Sequence, residues 1–322
     1  MYIILIKINK MGRYSYLTNY IIRRFIMMIP VFILCSMIIF LILHLVPGNP
    51  VDNLLHPGSP PEAREQLIKE YGLDKPIYQQ YIIWLTNVFK GNLGVSITEQ
   101  RSVSELLLLK MPNTIVLGVA SLLISFILGV TLGAVSAIKQ NTIVDYIGML
   151  IALLGVSVPT FWLGLMLMLI FSVNLGWFPI SGYGDLKSLV LPAFTLGLAG
   201  AGLIARITRA SMLEIAQKDY IAIVRAKGIS NTQVIIKHIF RNALIPIITL
   251  LGLRLGWIIG GAVTIEIVFN RPGVGRLLAN SLFRRDYPVI QGALLILIFA
   301  VMVGNLIADI LYAYADPQIR YN

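Results

Sequence analysis

The stretch of residues 219–246, DYIAIVRAKGISNTQVIIKHIFRNALIP, decides how the rest of this chain is interpreted. It lies between strongly apolar runs, yet it carries charge and has Gly228 near its centre. Good helix formers predict a helix over residues 212–227, and Gly228 ends it because glycine readily adopts the backbone angles of a tight turn. Ser230 is placed to cap a second helix. This pattern favours a surface element of a membrane protein on which an external partner can push; a solvated amphipathic linker is the alternative.

The composition indicates an all-α membrane protein. Of the 322 residues, 57% are hydrophobic and 13% are charged, and the mean hydropathy of +0.81 is too high for an ordinary soluble domain. Several apolar runs reach the length of roughly 18 residues that marks a membrane-spanning helix. We count six, at residues 25–46, 114–138, 147–173, 189–207, 243–269 and 289–314. The first run is long for a secretory signal, so we interpret it as an uncleaved helix.

Basic residues are concentrated in two segments. Residues 1–24 hold five basic and no acidic residues, and residues 206–241 hold seven basic and two acidic residues. With six spans both segments lie on one side, which the positive-inside rule makes cytoplasmic together with both termini. The net charge of +11 therefore sets orientation and does not indicate nucleic-acid binding. The loop of residues 270–288 disagrees, because it has four arginines and one aspartate on the opposite side.

The spans divide the chain into four parts. We predict a cytoplasmic N-terminal segment, a first transmembrane helix, an extracytoplasmic insert, and a membrane core of five further spans; they cover residues 1–24, 25–46, 47–111 and 112–322. The core includes a cytoplasmic coupling loop at residues 212–241.

The insert has its own helix signals. Ser59-Pro60-Pro61-Glu62 predicts the capped start of a helix that ends at Gly72, and a second helix is predicted from near Asp74 to Gly91. Two short helices predict a small cap that receives a docking partner; a structural lid without a partner is the alternative.

Glycines four residues apart predict close helix packing in two spans. Gly129 and Gly133 share one helix face in the second span, and Gly252, Gly256 and Gly260 share one face in the fifth. These faces predict tightly apposed helices, within this chain or in another subunit.

Three charged residues lie within the apolar runs: Arg254, Glu266 and Asp309. A charge near the bilayer centre costs about 2.5–3.5 kcal/mol on insertion scales, so each should face protein or water. We predict a place in a transport pathway or at a subunit interface. Glu266 and Asp309 lie close to the ends of their runs, and for them an interfacial position or a helix-to-helix hydrogen bond is the alternative.

The sequence contains no pattern for nucleotide binding, metal binding or catalysis. There is no G-x-x-x-x-G-K-[ST], H-E-x-x-H or C-x-x-C, the three histidines are far apart, and the single cysteine, Cys35, lies within the first span. We therefore predict no catalytic residues, no cofactor and no metal in this chain. Any energy from ATP must come from another polypeptide.

Short stretches in a fixed order carry a resemblance to a known family. The most specific are RAKG at residues 225–228, RNALIP at 241–246, PGVGR at 272–276 and RDYPV at 285–289. Others are LVPGNP at 45–50, YGLDKP at 71–76, GNLGVS at 91–96 and PTFWLG at 159–164. Over nearly everything after residue 20, the chain resembles the integral-membrane permease subunits of bacterial ABC importers, in the dipeptide, oligopeptide and nickel branch.

That resemblance implies a type I ABC importer-like fold with a cytoplasmic coupling helix, in the bacterial inner membrane. It also implies partners: a second related permease forming a heterodimer, two ATPase subunits that bind ATP and Mg²⁺, and an extracytoplasmic substrate-binding protein. In this family the coupling loop fits a groove on the ATPase, and the matching positions here are Asp219, Tyr220, Arg225, Ala226, Lys227, Gly228 and Ile229. The family's usual triplet is replaced by Ala222-Ile223-Val224, so no contact of the family's glutamate is carried over.

The function implied is import of dipeptides or oligopeptides by alternating access, driven by the partner ATPases. Import of nickel or a nickel chelate is the alternative, since permeases of this branch look alike. A stand-alone secondary carrier or channel is a remote alternative that predicts mid-span carboxylates and an internal repeat. An intramembrane enzyme would need a catalytic constellation, which the sequence lacks.

Overall fold

The computed structural model of this chain describes residues 2–45, 60–70 and 74–315. Within those ranges helices are joined by turns and irregular segments, and the extended pairing is an isolated antiparallel bridge between Val95 and Ser102. The helices, in chain order, are α1 (Tyr2–Leu45), α2 (Pro61–Glu70), α3 (Ile77–Phe89), α4 (Val103–Ile138), α5 (Ile143–Ser157), α6 (Thr160–Leu167), α7 (Leu186–Ala216), α8 (Asp219–Ala226), α9 (Asn231–Gln233), α10 (Arg241–Val268), α11 (Val274–Arg284) and α12 (Tyr287–Ala315). A π-helical segment, Met168–Asn174, continues α6, and another, Val234–Phe240, joins α9 to α10.

Five stretches of the described helices are long and apolar enough to cross a membrane. They are Ile21–Leu45, Val103–Ile138, Leu186–Ala216, Asn231–Gly252 and Tyr287–Ile310. Helix α5 and the stretch Thr160–Asn174 make a sixth if the two are counted as one broken span. The prediction of an all-α membrane fold is thereby confirmed, and the count of five or six spans agrees with the predicted six.

The third predicted span, residues 147–173, is not the straight helix that the sequence suggested. The two halves, Ile143–Ser157 and Thr160–Asn174, meet at an angle of 108°. The break falls at Val158 and Pro159, which both have extended backbone angles. Proline excludes the preceding residue from the helical region, so a helix ends there.

Several predicted boundaries differ from the observed helices. Helix α4 begins at Val103, so residues 103–111 belong to that helix and not to a separate insert. The N-terminal segment is helical from Tyr2 onward and is continuous with the first span. The predicted cap at Ser59 and the predicted helix end at Gly72 lie outside the described residues.

Helices α4 and α7 pack closely at the centre of the structure. A Cβ on Gly129 would lie 2.6 Å from the Cβ of Ile204, and a Cβ on Gly133 would meet the carbonyl oxygen of Ala205. The predicted close contact is thus confirmed in α4. In α10 it holds for Gly252, which packs on Ala308. Gly260 has open space around it within this chain, so a contact there with another subunit stays a prediction.

Two groups of buried apolar residues mark the opposite ends of the bundle. The α11 cluster joins the start of α4 to α11 and the start of α12, and consists of Val103, Leu106, Leu107, Val274, Leu277, Leu278, Val289, Ile290 and Ala293. The α8 cluster joins the end of α7 to α8 and the start of α10, and consists of Met212, Ile215, Ile221, Val234, Ile239 and Ala243. Leu43 packs on the α11 cluster, whereas Ala134 and Ala137 pack on the α8 cluster. The end of α1 therefore lies at the α11 end, opposite α8.

Candidate functional site

The quoted polar stretch forms a short surface helix, α8, followed by a turn. The sequence predicted one helix over residues 212–227, and this prediction is wrong, because α7 ends at Ala216 and α8 begins at Asp219. The backbone N–H groups of Gln217 and Lys218 donate to carbonyls three residues back, which tightens the last turn of α7. Asp219 in the first turn of α8 places a negative charge at a helix N-terminus, which favours a new helix there.

Gly228 makes the turn after α8, as the sequence predicted. Its φ is +74°, a left-handed backbone conformation that residues with a Cβ rarely adopt. A Cβ built on Gly228 would meet nothing within 4 Å, so the backbone angle and not crowding calls for glycine. Ser230 occupies the N-cap position of α9, but its side chain makes no capping hydrogen bond.

Helix α8 is held by one buried side chain and presents the rest to the surface. Ile221 is 1% exposed and lies in the α8 cluster, together with residues from the end of α7 and the start of α10. The Tyr220 hydroxyl accepts a hydrogen bond of 3.1 Å from Asn242 Nδ2. The residues that the family resemblance singled out lie together here: Asp219, Tyr220, Arg225, Ala226, Lys227 and Gly228 are exposed, and Ile229 is half-buried against the α8 cluster. This surface, residues 219–229, is called the coupling surface below.

A buried ion pair lies close to the coupling surface. Arg209 on α7 donates from Nε and from Nη2 to the two carboxylate oxygens of Asp145 at the start of α5, both over 2.7 Å. Asp145 also accepts a hydrogen bond from the backbone N–H of Asn141, and it is only 1% exposed. Bidentate Arg–carboxylate pairs fix geometry as well as adding energy. The pair therefore joins α5 to the part of α7 that leads into α8.

Sequence reasoning missed this pair. Arg209 is one of the seven basic residues of segment 206–241, but Asp145 lies 64 positions away and follows a loop. An acid in the first turn of a helix has an ordinary capping role, so nothing in the sequence singled out Asp145.

At the α11 end, the Glu266 side chain is completely buried and fully engaged in contacts within this chain. Its Oε1 accepts from the Thr114 hydroxyl over 2.6 Å, and its Oε2 accepts from the backbone N–H of Arg276 over 3.1 Å. The Thr114 hydroxyl in turn accepts from the backbone N–H of Val274. A Cβ on Gly273 would meet the Glu266 carboxylate. The structure thus places Glu266 where it holds the N-terminus of α11, in agreement with the alternative of a helix-to-helix hydrogen bond.

The basic loop of residues 270–288 is partly explained by burial. Arg271 is 4% exposed, and its Nε and Nη1 atoms make no hydrogen bond within the described residues. Burial lowers the pKa of the Arg271 guanidinium from its ordinary value, and the negative charge of Glu266 opposes that change. Arg276 donates from Nη1 to the carbonyl oxygen of Asn270. These two arginines therefore belong to the folded loop rather than to a solvated surface.

Asp286 joins this loop to the segment before α4. Its carboxylate accepts from the Ser96 hydroxyl over 2.6 Å and from the backbone N–H groups of Ile97 and Thr98. It is 2% exposed. The stretches GNLGVS and RDYPV, far apart in the sequence, therefore meet at this carboxylate.

The other two charges within the apolar runs have different surroundings. Asp309 on α12 forms an ion pair of 3.2 Å with Arg24 on α1. Arg254 is half-buried in the middle part of α10, and its Nη1 atom lies 3.0 Å from where a Cβ on Gly200 of α7 would be. All three charges therefore lie between helices, and a place in a pathway or at a subunit interface stays a prediction.

Comparisons with known proteins agree with this architecture. Residues 129–321 match the family described as "Binding-protein-dependent transport system inner membrane component", and residues 17–118 match its N-terminal counterpart. The chain is 41% identical over 313 residues to the oligopeptide transport system permease protein AppB of Bacillus subtilis (strain 168), covering 94% of this chain and 99% of AppB. It is 39% identical over 303 residues to the glutathione transport system permease protein GsiC of Escherichia coli (strain K12), with coverage of 94% and 99%.

A solved structure of low sequence identity has the same fold. A chain of the MetNI methionine ABC transporter, in inward-facing conformations, matches with a TM-score of 0.55 and 20% identity, over 66% of this chain and 96% of that chain. Members of the matched family are multi-pass permeases of the inner membrane that act with an ATPase and a substrate-binding protein. This chain belongs to that family, the inner membrane components of binding-protein-dependent transport systems, and is the permease subunit of an ABC importer.

Proposed function

We propose that this chain is the permease subunit of a peptide importer. The observation that carries the proposal is the similarity over almost the whole chain to permeases whose names give an oligopeptide and glutathione, itself a small peptide, as cargo. The exposed coupling surface, seated on the α8 cluster through Ile221, supports it, because such an importer needs a place where an ATPase pushes.

In the proposed assembly this chain pairs with a second, related permease. Two ATPase subunits, which bind ATP and Mg²⁺, each receive one coupling surface, and an extracytoplasmic protein delivers the peptide. The N-terminus, the C-terminus and α8 are cytoplasmic. Two contacts support this orientation. Leu43, near the C-terminal end of α1, packs on the α11 cluster, so the N-terminal end of α1 points toward the side of α8. Ala137, near the C-terminal end of α4, packs on the α8 cluster.

Closure of the ATPases on ATP moves α8, and the motion passes to the transmembrane helices. Residues 217–218 form only a two-residue turn between α7 and α8, and the α8 cluster joins both helices to the start of α10. The Arg209–Asp145 pair carries the displacement of α7 to α5. ATP shifts the equilibrium between inward- and outward-facing states because the closed ATPase dimer fits one of the two better.

Arg254 is the residue of α10 that we assign to the transport pathway or the permease interface. Its cationic group lies between α10 and α7, where a charge in an apolar span is retained only with a function or a partner. Arg254→Lys is expected to keep uptake and Arg254→Met to lose most of it, with assembly of the complex unchanged. Normal uptake by Arg254→Met would remove this assignment.

The substrate is tested by uptake into vesicles that contain the complete transporter and its binding protein. Labelled dipeptides, longer peptides and nickel are offered separately, with and without ATP. ATP-dependent uptake of peptide is the expected result. Uptake of nickel and of no peptide would instead support the nickel alternative.

A further inference from the structure

The second helix of the insert, α3, has no charged residue over its 13 positions, IYQQYIIWLTNVF. The nearest charges are Lys75 before it and Lys90 after it. Helix α2, by contrast, reads PEAREQLIKE and is charged along its length. The two helices of the insert therefore suit different surroundings.

One face of α3 packs along α1. The Gln80 side chain is 3.2 Å from His44 Nε2, and the Tyr81 hydroxyl is 2.9 Å from the Ser36 hydroxyl. Further along, the rings of Phe89 and Phe32 are 6.4 Å apart. Later residues of α3 contact earlier residues of α1, so the two helices are antiparallel. Phe32 lies near the middle of the apolar stretch Ile21–Leu45, and α3 therefore accompanies the C-terminal half of that stretch.

The opposite face of α3 is apolar, and it is exposed among the described residues. Tyr78 is 63% exposed, Ile82 58% and Ile83 44%. These residues recur at helical spacing, so they form one stripe. The stripe lies beside exposed apolar residues of α1, among them Met37 and Leu41, on a helix that is itself a candidate span.

Polar side chains beside this stripe form hydrogen bonds within α3. The Thr86 hydroxyl donates to the carbonyl oxygen of Ile82 over 2.7 Å, and Gln79 Nε2 donates to the Tyr78 hydroxyl over 3.2 Å. Thr131, on an exposed position of the spanning helix α4, donates to the carbonyl oxygen of Ile127 in the same way. Such internal bonding suits a surface that meets lipid, where polar groups find no water.

We propose that α3 lies in the membrane beside α1, and that its stripe of Tyr78, Ile82 and Ile83 contacts the lipid of the leaflet on the α11 side. Lys75 precedes the apolar segment, and its long side chain extends toward the headgroups. Tyr78 and Trp84 supply the amphipathic rings found at such interfaces. The charged helix α2 then extends into water. This inference does not depend on which substrate is transported.

The test uses the complete transporter in vesicles of phosphatidylethanolamine and phosphatidylglycerol. In a Cys35→Ser background, a nitroxide spin label is attached to single cysteines at Ile82, Ile83 and Thr86, which are all exposed. Collision with oxygen, which concentrates in lipid, is compared with collision with a water-soluble nickel chelate. Leu123 on α4, 57% exposed, gives the lipid reference, and Glu65 on α2 gives the aqueous reference.

Labels on α3 are expected to match Leu123, with high oxygen and low nickel accessibility. Nickel accessibility like that of Glu65 would show that the stripe faces water and would overturn the proposal. Low accessibility to both reagents would also overturn it, because another protein would then cover the stripe. Because three positions are labelled separately, the test still gives a result if one of the variants assembles poorly.

Discussion

Arg209 and Asp145 form a bidentate ion pair between α7 and α5, with both hydrogen bonds 2.7 Å long. Arg209 lies ten residues before Asp219, the first residue of α8. The pair therefore joins α5 to the part of α7 that leads into α8, and in the proposed mechanism it passes a displacement of the coupling surface to α5.

Removing one partner of the pair should destabilise the protein more than removing both. Arg209→Met alone leaves the buried Asp145 carboxylate without its partner, which costs up to roughly 3–5 kcal/mol. Asp145→Leu alone should cost less, because the Arg209 side chain is 26% exposed and water can solvate its charge. The double variant is expected to recover most of the loss, because apolar side chains replace both charges. Thermal unfolding of the purified complex measures this. A double variant that loses the sum of the two single losses would refute the pairing.

The exposed pair Arg101–Glu105 provides the control. Its charged atoms are 4.0 Å apart and both side chains are more than half exposed. Exposed pairs of this kind contribute about 0–1 kcal/mol, so Glu105→Gln should leave the unfolding temperature almost unchanged.

Gly228 should tolerate asparagine better than valine. The left-handed conformation costs roughly 1–2 kcal/mol for most residues, but asparagine visits it more easily. Since there is open space around the Cβ position, the added side chain does not clash with other residues of this chain, and the difference comes from the backbone conformation. Gly228→Val is expected to leave assembly intact and to lower peptide uptake per ATP hydrolysed several-fold, while Gly228→Asn stays near the wild-type ratio. Equal ratios for the two variants would show that the turn conformation does not govern coupling.

Substitution by alanine should destabilise the protein at Gly133 but not at Gly260. At Gly133 a methyl group would meet the backbone of Ala205 and lie 2.7 Å from the Cβ of Thr208, whereas at Gly260 it would meet nothing within 4 Å. Overpacking of this kind typically costs about 1–3 kcal/mol. Gly133→Ala should therefore lower the unfolding temperature and Gly260→Ala should not, as measured on matched preparations. Similar stability for both variants would contradict the close approach of α4 and α7.

Glu266→Gln should loosen α11 without unfolding the bundle. The carboxylate accepts hydrogen bonds on both oxygens, and an amide keeps only one acceptor oxygen, so either Thr114 or the backbone N–H of Arg276 loses its partner. Hydrogen exchange of the amides of residues 273–278 should become several-fold faster, while exchange in α7 stays unchanged. Unaltered exchange at residues 273–278 would mean that Glu266 does not hold this helix end.

Features set by local residue patterns could be predicted from the sequence. The apolar runs predicted the membrane spans, and Gly228 in a polar stretch predicted the turn after α8. Both features depend on the local residue types alone. Pro159 marked a possible break in the third span. The 108° angle between α5 and the stretch Thr160–Asn174 could not be predicted, because it depends on how each of these two helices packs against the rest of the bundle.

Contacts between distant parts of the chain could not be predicted. Asp145 and Arg209, or Asp286 and Ser96, come together only through the packing of several helices. The basic loop was misjudged for the same reason. Counting charge treats Arg271 as exposed, whereas folding buries it beside Glu266.

The most direct test of the account measures ATP hydrolysis and peptide uptake side by side, for this chain alone and for the complete transporter. The chain alone should do neither, and the complete transporter should do both. In the complete transporter, a cysteine at the exposed Ile223 of α8 should cross-link to an ATPase subunit. ATP hydrolysis or uptake by the isolated chain would contradict the central claim that a partner drives it through α8.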